Sequence, residues 1–173
     1  DDTFAVVCGD ALFDLDLGEM LARHRARGAV ASMALVTVPP QDVQRYGIAV
    51  VNAQERVQSF QEKPTPSAAK ALTANTGIYL FEPQALRHIP ATGAYDIGGE
   101  LFPQLLLRGA PVHGFLMPMQ WLDIGVLADF LTVNLQAVEG LVHGITPAGT
   151  PVAVGRHGLA HALAVQRAAG DQG

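Results

Sequence analysis

Residues 3–40 read TFAVVCGDALFDLDLGEMLARHRARGAVASMALVTVPP, and the division of this stretch decides the fold class. Thr3 to Cys8 is an almost unbroken apolar run, the pattern of a strand covered on both faces as in a parallel sheet. It stops at Gly9-Asp10, which places a carboxylate just past a strand's C-terminal end, the edge where open α/β sheets bind ligands. Asp16 then reads as a helix N-cap with Glu19 as its capping partner. Leu17, Met20, Leu21 and His24 follow at helical spacing, and Gly28 supplies the stop. Ala29 to Val38 returns as a strand. Strand, capped helix and strand make a βαβ unit, and with it an α/β fold on a mixed, mainly parallel sheet.

Beyond the breaker Pro39-Pro40, two strand-like runs, Tyr46 to Val51 and Arg56 to Glu62, flank the polar turn Asn52–Glu55 and predict a hairpin. Pro64 and Pro66 end it, because proline cannot donate to a ladder. Ser67 to Thr73 is a short alanine-rich helix or loop, and Asn75 to Phe81 a strand. Pro83 to Ile89 is a short helix with proline at its start. A loop, Gly93 to Gly99, precedes a helix from Glu100 to Arg108, and Val112 to Met117 is a strand. Trp121 to Gly125 is a turn that leads into a helix from Val126 to Glu139. Domain organisation is therefore 1–139 as one α/β domain and 140–173 as a Gly/Ala-rich appendage.

Composition narrows the class. In 173 residues, 49% are hydrophobic and 16% charged, which excludes a disordered chain. A formal charge of -5 without basic runs excludes a nucleic-acid surface. One cysteine excludes a disulfide framework and fits a reducing compartment. No apolar run is long enough for a bilayer and no basic-then-apolar leader opens the chain, so a cytoplasmic protein without membrane contact is expected.

Two carboxylates stand out by position. Asp10 follows the first strand and Asp123 sits in Trp-Leu-Asp-Ile-Gly at a helix entrance. Each reads either as a turn or cap residue or as half of a Mg²⁺ site, since Mg²⁺ takes one or two carboxylates plus phosphate oxygens. Gly9 would let a phosphate approach the backbone closely. Glu62-Lys63 reads either as a solvated pair or as a hydroxyl acceptor beside a phosphate-binding point charge, with Pro64 pinning the backbone. Asn75-Thr76-Gly77 offers an amide and a hydroxyl at a strand start. Cys8 reads as an inert buried thiol. His157 and His161 are four apart but lack the Glu of a zinc-protease helix. Neither a nucleophile elbow nor a glycine-rich phosphate loop occurs in the 173 residues.

Five stretches in register, VVCGDALFDLDLGEMLARHRARGA, RYGIAVVNAQERVQSFQEKP, NTGIYLFEP, YDIGGELFPQLLLRGAPVHGF and WLDIGVLADFLTVN, resemble the sugar-phosphate nucleotidyltransferases, or nucleotide-sugar pyrophosphorylases. The resemblance is nearest the mannose-1-phosphate guanylyltransferase and glucose-1-phosphate nucleotidyltransferase branches. It implies a Rossmann-like sheet that binds an NTP and a sugar 1-phosphate, whose phosphate oxygen attacks the α-phosphorus as pyrophosphate leaves. It implies Asp10 and Asp123 as Mg²⁺ carboxylates, Lys63 on the sugar phosphate, Gly47 lining the sugar pocket, and Glu62, Asn75 and Thr76 on hydroxyls. The family's glycine-rich loop with Arg and Lys is missing from these residues, so the resemblance is to an N-terminally truncated domain. Activity is then conditional on a complementing N-terminal part, and a homo-oligomer could cover the bare edge. The alternatives are a catalytically silent sugar-phosphate-binding or assembly module and a Mg²⁺-dependent phosphohydrolase.

Overall fold

The structure, a computed structural model, describes residues 2–145. The elements along the chain are β1 (Phe4–Val7), β2 (Ala11–Phe13), α1 (Leu17–Ala26), β3 (Ala31–Thr37), β4 (Gly47–Val51), β5 (Val57–Glu62), β6 (Thr73–Phe81), α2 (Phe102–Leu107), β7 (Val112–Leu116), β8 (Trp121–Asp123) and α3 (Leu127–Val138). They fall into two compact units. One comprises the residues up to Gly9 with Leu15–Met119, the other Asp10–Asp14 with the residues from Gln120 on.

The first unit is built on a sheet of order β5-β4-β6-β3-β7, with β1 also paired to β6. The α/β class and the mixed sheet are as the sequence predicts. The parallel majority is not: β3–β7 is parallel, whereas β1–β6, β3–β6, β4–β5 and β4–β6 are antiparallel. Helix α1 does carry the chain from β1 to a strand running the same way, but antiparallel β6 lies between the two. Apolar runs report how well a strand is covered and say nothing of its direction. Coverage itself varies. Ala31–Leu35 of β3 is wholly buried, while β1 alternates and leaves Val7 47% exposed.

Local signals behave as physical chemistry dictates. Asp16 accepts a hydrogen bond from the Glu19 N–H at 2.9 Å and so caps α1, and Gly28 (φ 56°) ends it. The hairpin turn forms because Asn52 Oδ1 accepts from the N–H groups of Gln54 and Arg56. Glu55, at φ 63°, is held there by Arg23 and Arg27. The core joins Met33, Leu35, Tyr79 and Phe81 of the sheet to Leu101, Phe102 and Leu105.

Several boundaries differ from expectation. Pro40–Arg45 and Pro83–His88 form 3-10 turns, since a proline start and short length favour the tighter winding. The helix expected from Glu100 begins as a π-turn, Ile97–Leu101, before α2. Trp121–Asp123, expected as turn, is strand β8, because Ala11–Phe13 pairs with it.

In the second unit β2 and β8 form a two-stranded antiparallel ladder, Ala11 opposite Asp123, Leu12 opposite Leu122 and Phe13 opposite Trp121. Helix α3 follows. No helix among the described residues is long and apolar enough to cross a membrane. His157, His161 and most of the expected appendage lie outside the described residues.

Candidate functional site

In the first unit, register gathers much of the predicted sugar set into one row. Glu62 of β5 pairs with Gly47 of β4, and Ile48 pairs with Ala74 of β6, so Asn75 is the next position along. Directly paired positions share a face. A Cβ on Gly47 would run into the Phe60 ring and come 3.1 Å from Glu62 Oε2. On another side of that carboxylate is Gly98, whose added Cβ would lie 3.4 Å from the same oxygen. Two residues without side chains thus leave the acid group approachable.

Burial, reinforced by the nearby Asp96 charge and opposed by Lys63, raises the Glu62 pKa above the ordinary carboxylate value. Asp96 is itself fixed, accepting hydrogen bonds from Gly98 N (3.1 Å) and Gly99 N (2.8 Å). Asn75 Nδ2 donates to the Tyr79 hydroxyl at 2.8 Å, and its Oδ1 accepts from Gly77 N. Burial pushes the Tyr79 pKa to about 12, so it stays a neutral phenol. Tyr79 and Phe60 both pack on Phe102, giving this row an aromatic base.

Lys63 sits just past β5 with φ 43°, an unusual angle for a residue with a Cβ, and its N–H donates to Tyr46 O. Such departures cluster where a side chain must be aimed. Thr76 is different. It is 2% exposed, and its hydroxyl donates to Ala34 O at 2.9 Å, where three residues of β6 face one of β3. Gly77 completes the bulge at φ 76°, a left-handed angle that suits glycine.

In the second unit, Asp10 and Asp123 stand on neighbouring backbones. Asp123 is opposite Ala11, and Ile124 N–H donates to Asp10 O at 2.9 Å. The cap reading of Asp123 falls away, because the N-cap of α3 is Val126 and no side chain bonds there. Gly125 lies against the Asp123 carboxylate, 3.3 Å from where a Cβ would sit. Gly9 precedes the pair, and a Cβ on it would meet nothing within 4 Å. As donors, both would offer hard carboxylate oxygens, and no group of three or more His, Cys, Asp or Glu placed to hold a metal ion occurs among the described residues. That set fits Mg²⁺, which completes its sphere with water and phosphate oxygens, and fits zinc poorly.

The stretch DIGGELFPQLL, read as sequence, gives Asp96 and Gly98 no role of their own. The signal was the Gly98-Gly99 doublet two residues past an aspartate, the pattern of a side chain capping the following N–H groups. The β2–β8 pairing carried no local signal.

A sequence profile of the family described as nucleotidyl transferase matches residues 1–140. A UTP–glucose-1-phosphate uridylyltransferase of Synechocystis is 43% identical over 82% of this chain and 36% of its own length. A glucose-1-phosphate adenylyltransferase of Desulfitobacterium hafniense is 26% identical over 78% of the chain and 35% of its own length. The chain therefore spans about a third of the curated relatives it matches. A Bacillus anthracis structure described as a glucose-1-phosphate thymidylyltransferase superposes with a TM-score of 0.67 at 23% identity, over 86% of this chain and 57% of the other, and shows the shared fold.

Proposed function

Because the chain belongs to the nucleotidyl transferase family, we propose that it supplies the sugar-phosphate and metal half of an enzyme that transfers a nucleotidyl group from an NTP to glucose 1-phosphate. The two curated relatives differ in nucleoside but share glucose 1-phosphate in their names, which favours glucose over mannose. A phosphate oxygen of the sugar 1-phosphate attacks the α-phosphorus, the bond to the bridging oxygen breaks, and pyrophosphate leaves.

The chain's residues position and neutralise; none forms a covalent bond to substrate. Glu62 accepts hydrogen bonds from sugar hydroxyls, Asn75 offers its amide, and Gly47 with Gly98 leaves room for the ring. Lys63 meets the sugar phosphate as a point charge. Thr76 shapes the Asn75–Gly77 bulge through its bond to Ala34 and touches no hydroxyl. Asp10 and Asp123 would hold Mg²⁺, which when bound draws charge from the phosphate oxygens. The 173 residues contain no glycine-rich triphosphate loop, so the reading assigns that role to a complementing segment or a second chain.

The observation that supports the reading is the β2–β8 ladder, which sets Asp123 opposite Ala11 and so makes the backbones at Asp10 and Asp123 neighbours although they come from opposite ends of the matched region. The test incubates the full chain with Mg²⁺, glucose 1-phosphate and each NTP in turn, and measures pyrophosphate, with calorimetry of glucose 1-phosphate binding alongside. Sugar-dependent pyrophosphate release supports transfer. Binding without release identifies a silent sugar-phosphate module, and absence of both overturns the proposal.

A further inference from the structure

Gly98 and Gly99 lie in the π-turn that precedes α2, and neither has a φ in the left-handed region, so backbone conformation does not call for glycine at either place. What each leaves free is room for a carboxylate. A Cβ on Gly98 would lie 3.4 Å from Glu62 Oε2 and 3.8 Å from Asp96 Oδ1, so two acids from separate parts of the chain reach toward one point. A Cβ on Gly99 would come 2.7 Å from Asp96 Oδ2 and would meet only that carboxyl group within 4 Å.

Every polar group of Asp96 is engaged on this turn. Oδ1 accepts from Gly98 N at 3.1 Å and Oδ2 from Gly99 N at 2.8 Å. The Asp96 carbonyl accepts from the N–H groups of Glu100 (2.9 Å) and Leu101 (3.2 Å), and its own N–H donates to Glu100 Oε2 at 3.4 Å. Glycine is the least restrained of residues, so the pair would not hold its shape against Glu62 unaided. The Asp96 carboxylate supplies the restraint.

We propose that Asp96 is a positioning residue for the sugar: by clamping the Gly98-Gly99 backbone it fixes the wall beside Glu62, and with it the opening through which hydroxyls reach that acid. The proposal rests on the reading of Glu62 as a sugar-hydroxyl acceptor. The same placement has an electrostatic side. Burial raises the Glu62 pKa most, the Asp96 charge adds to this, and Lys63, from the end of the same strand, opposes both. The other elements present no charge there: β4 faces Glu62 with Gly47, and Tyr79 of β6 stays a neutral phenol.

Calorimetry of glucose 1-phosphate binding to the full chain is the test, run well below the melting temperature of each protein. Gly99→Ala adds a methyl group that displaces the Asp96 carboxylate without approaching Glu62. It should raise the dissociation constant about fivefold, the scale of one lost cap. Asp96→Ala should do the same. Both break one clamp, so the double variant should bind no more weakly than the weaker single one, whereas independent positions would multiply their losses. Asp96→Asn adds a pH signature. With the neighbouring charge gone, Glu62 ionises at lower pH, and the loss of affinity on the acid side should move to lower pH than in the parent. A merely structural turn would lower the melting temperature of these variants and leave affinity and its pH profile unmoved. If Asp96→Ala fails to fold, Gly99→Ala and Asp96→Asn decide the matter. Parental affinity in the variants, or multiplied losses in the double, overturns the clamp. Glu62→Gln then separates the two readings: weakened binding there leaves the sugar reading standing, and parental binding overturns both.

Discussion

Gly47 on β4 stands directly opposite Glu62 on β5, and only the missing side chain at 47 keeps the Glu62 carboxylate clear on that side. The two glycines flanking this acid are unequal. A methyl group on Gly47 collides with the Phe60 ring, whereas one on Gly98 makes ordinary contact with Glu62 Oε2 at 3.4 Å. Gly47→Ala should therefore cost about 1–3 kcal/mol of stability, the usual range for overpacking, and also weaken glucose 1-phosphate binding. Gly98→Ala should melt near the unaltered temperature yet still weaken binding. Calorimetry and thermal melts decide it, and undiminished affinity in Gly98→Ala would remove that glycine from the site.

Glu62 gives a pH prediction of definite sign. Its folded pKa lies above the unfolded value because burial and Asp96 disfavour the anion. A carboxyl so shifted binds more protons in the folded chain, so stability falls as pH rises through its titration. At neutral pH the charged form is a net cost. Glu62→Gln should then raise the melting temperature at pH 7, with the gain shrinking toward pH 4, while glucose 1-phosphate affinity drops. A variant less stable than the parent at pH 7 would contradict this account of the shift.

What could be read in advance follows the range of each interaction. The Asp16–Glu19 cap and the Asn52–Glu55 turn are decided within a few residues, and both form as the sequence predicts. The direction of β6 is not local. It depends on where the chain returns after Pro66, and no periodicity encodes that. Strands of three residues, such as β2 and β8, lie below the length at which alternation can be recognised, so the ladder that sets Asp123 opposite Ala11 carries no signal in the sequence. Thr76 shows the converse: a hydroxyl at a strand start looks available in sequence, and the bulge opposite Ala34 turns it inward.

Lys63 separates strain from function. Its φ of 43° costs a residue with a Cβ roughly 1 kcal/mol relative to glycine. Lys63→Gly should consequently melt higher than Lys63→Ala, which keeps the strain. Both should lose the contact to the sugar phosphate, weakening glucose 1-phosphate by about 1.5–3 kcal/mol, the worth of a charged hydrogen bond. Calorimetry showing equal affinity in all three proteins would leave the strained angle without a binding role.

Thr76→Val tests the division of labour along the Asn75–Gly77 bulge. Valine matches threonine in shape but cannot donate to Ala34 O, which would be left buried and unpaired at a cost of about 1–3 kcal/mol. Because the hydroxyl points into the sheet, glucose 1-phosphate affinity at a temperature well below melting should stay within twofold of the parent. Asn75→Ala, which removes an amide from the row shared with Gly47 and Glu62, should weaken that affinity at comparable or smaller loss of stability. The reverse pattern, with Thr76→Val defective in binding and Asn75→Ala normal, would mean that the bulge opens toward the ligand and that Thr76 contacts the sugar hydroxyls.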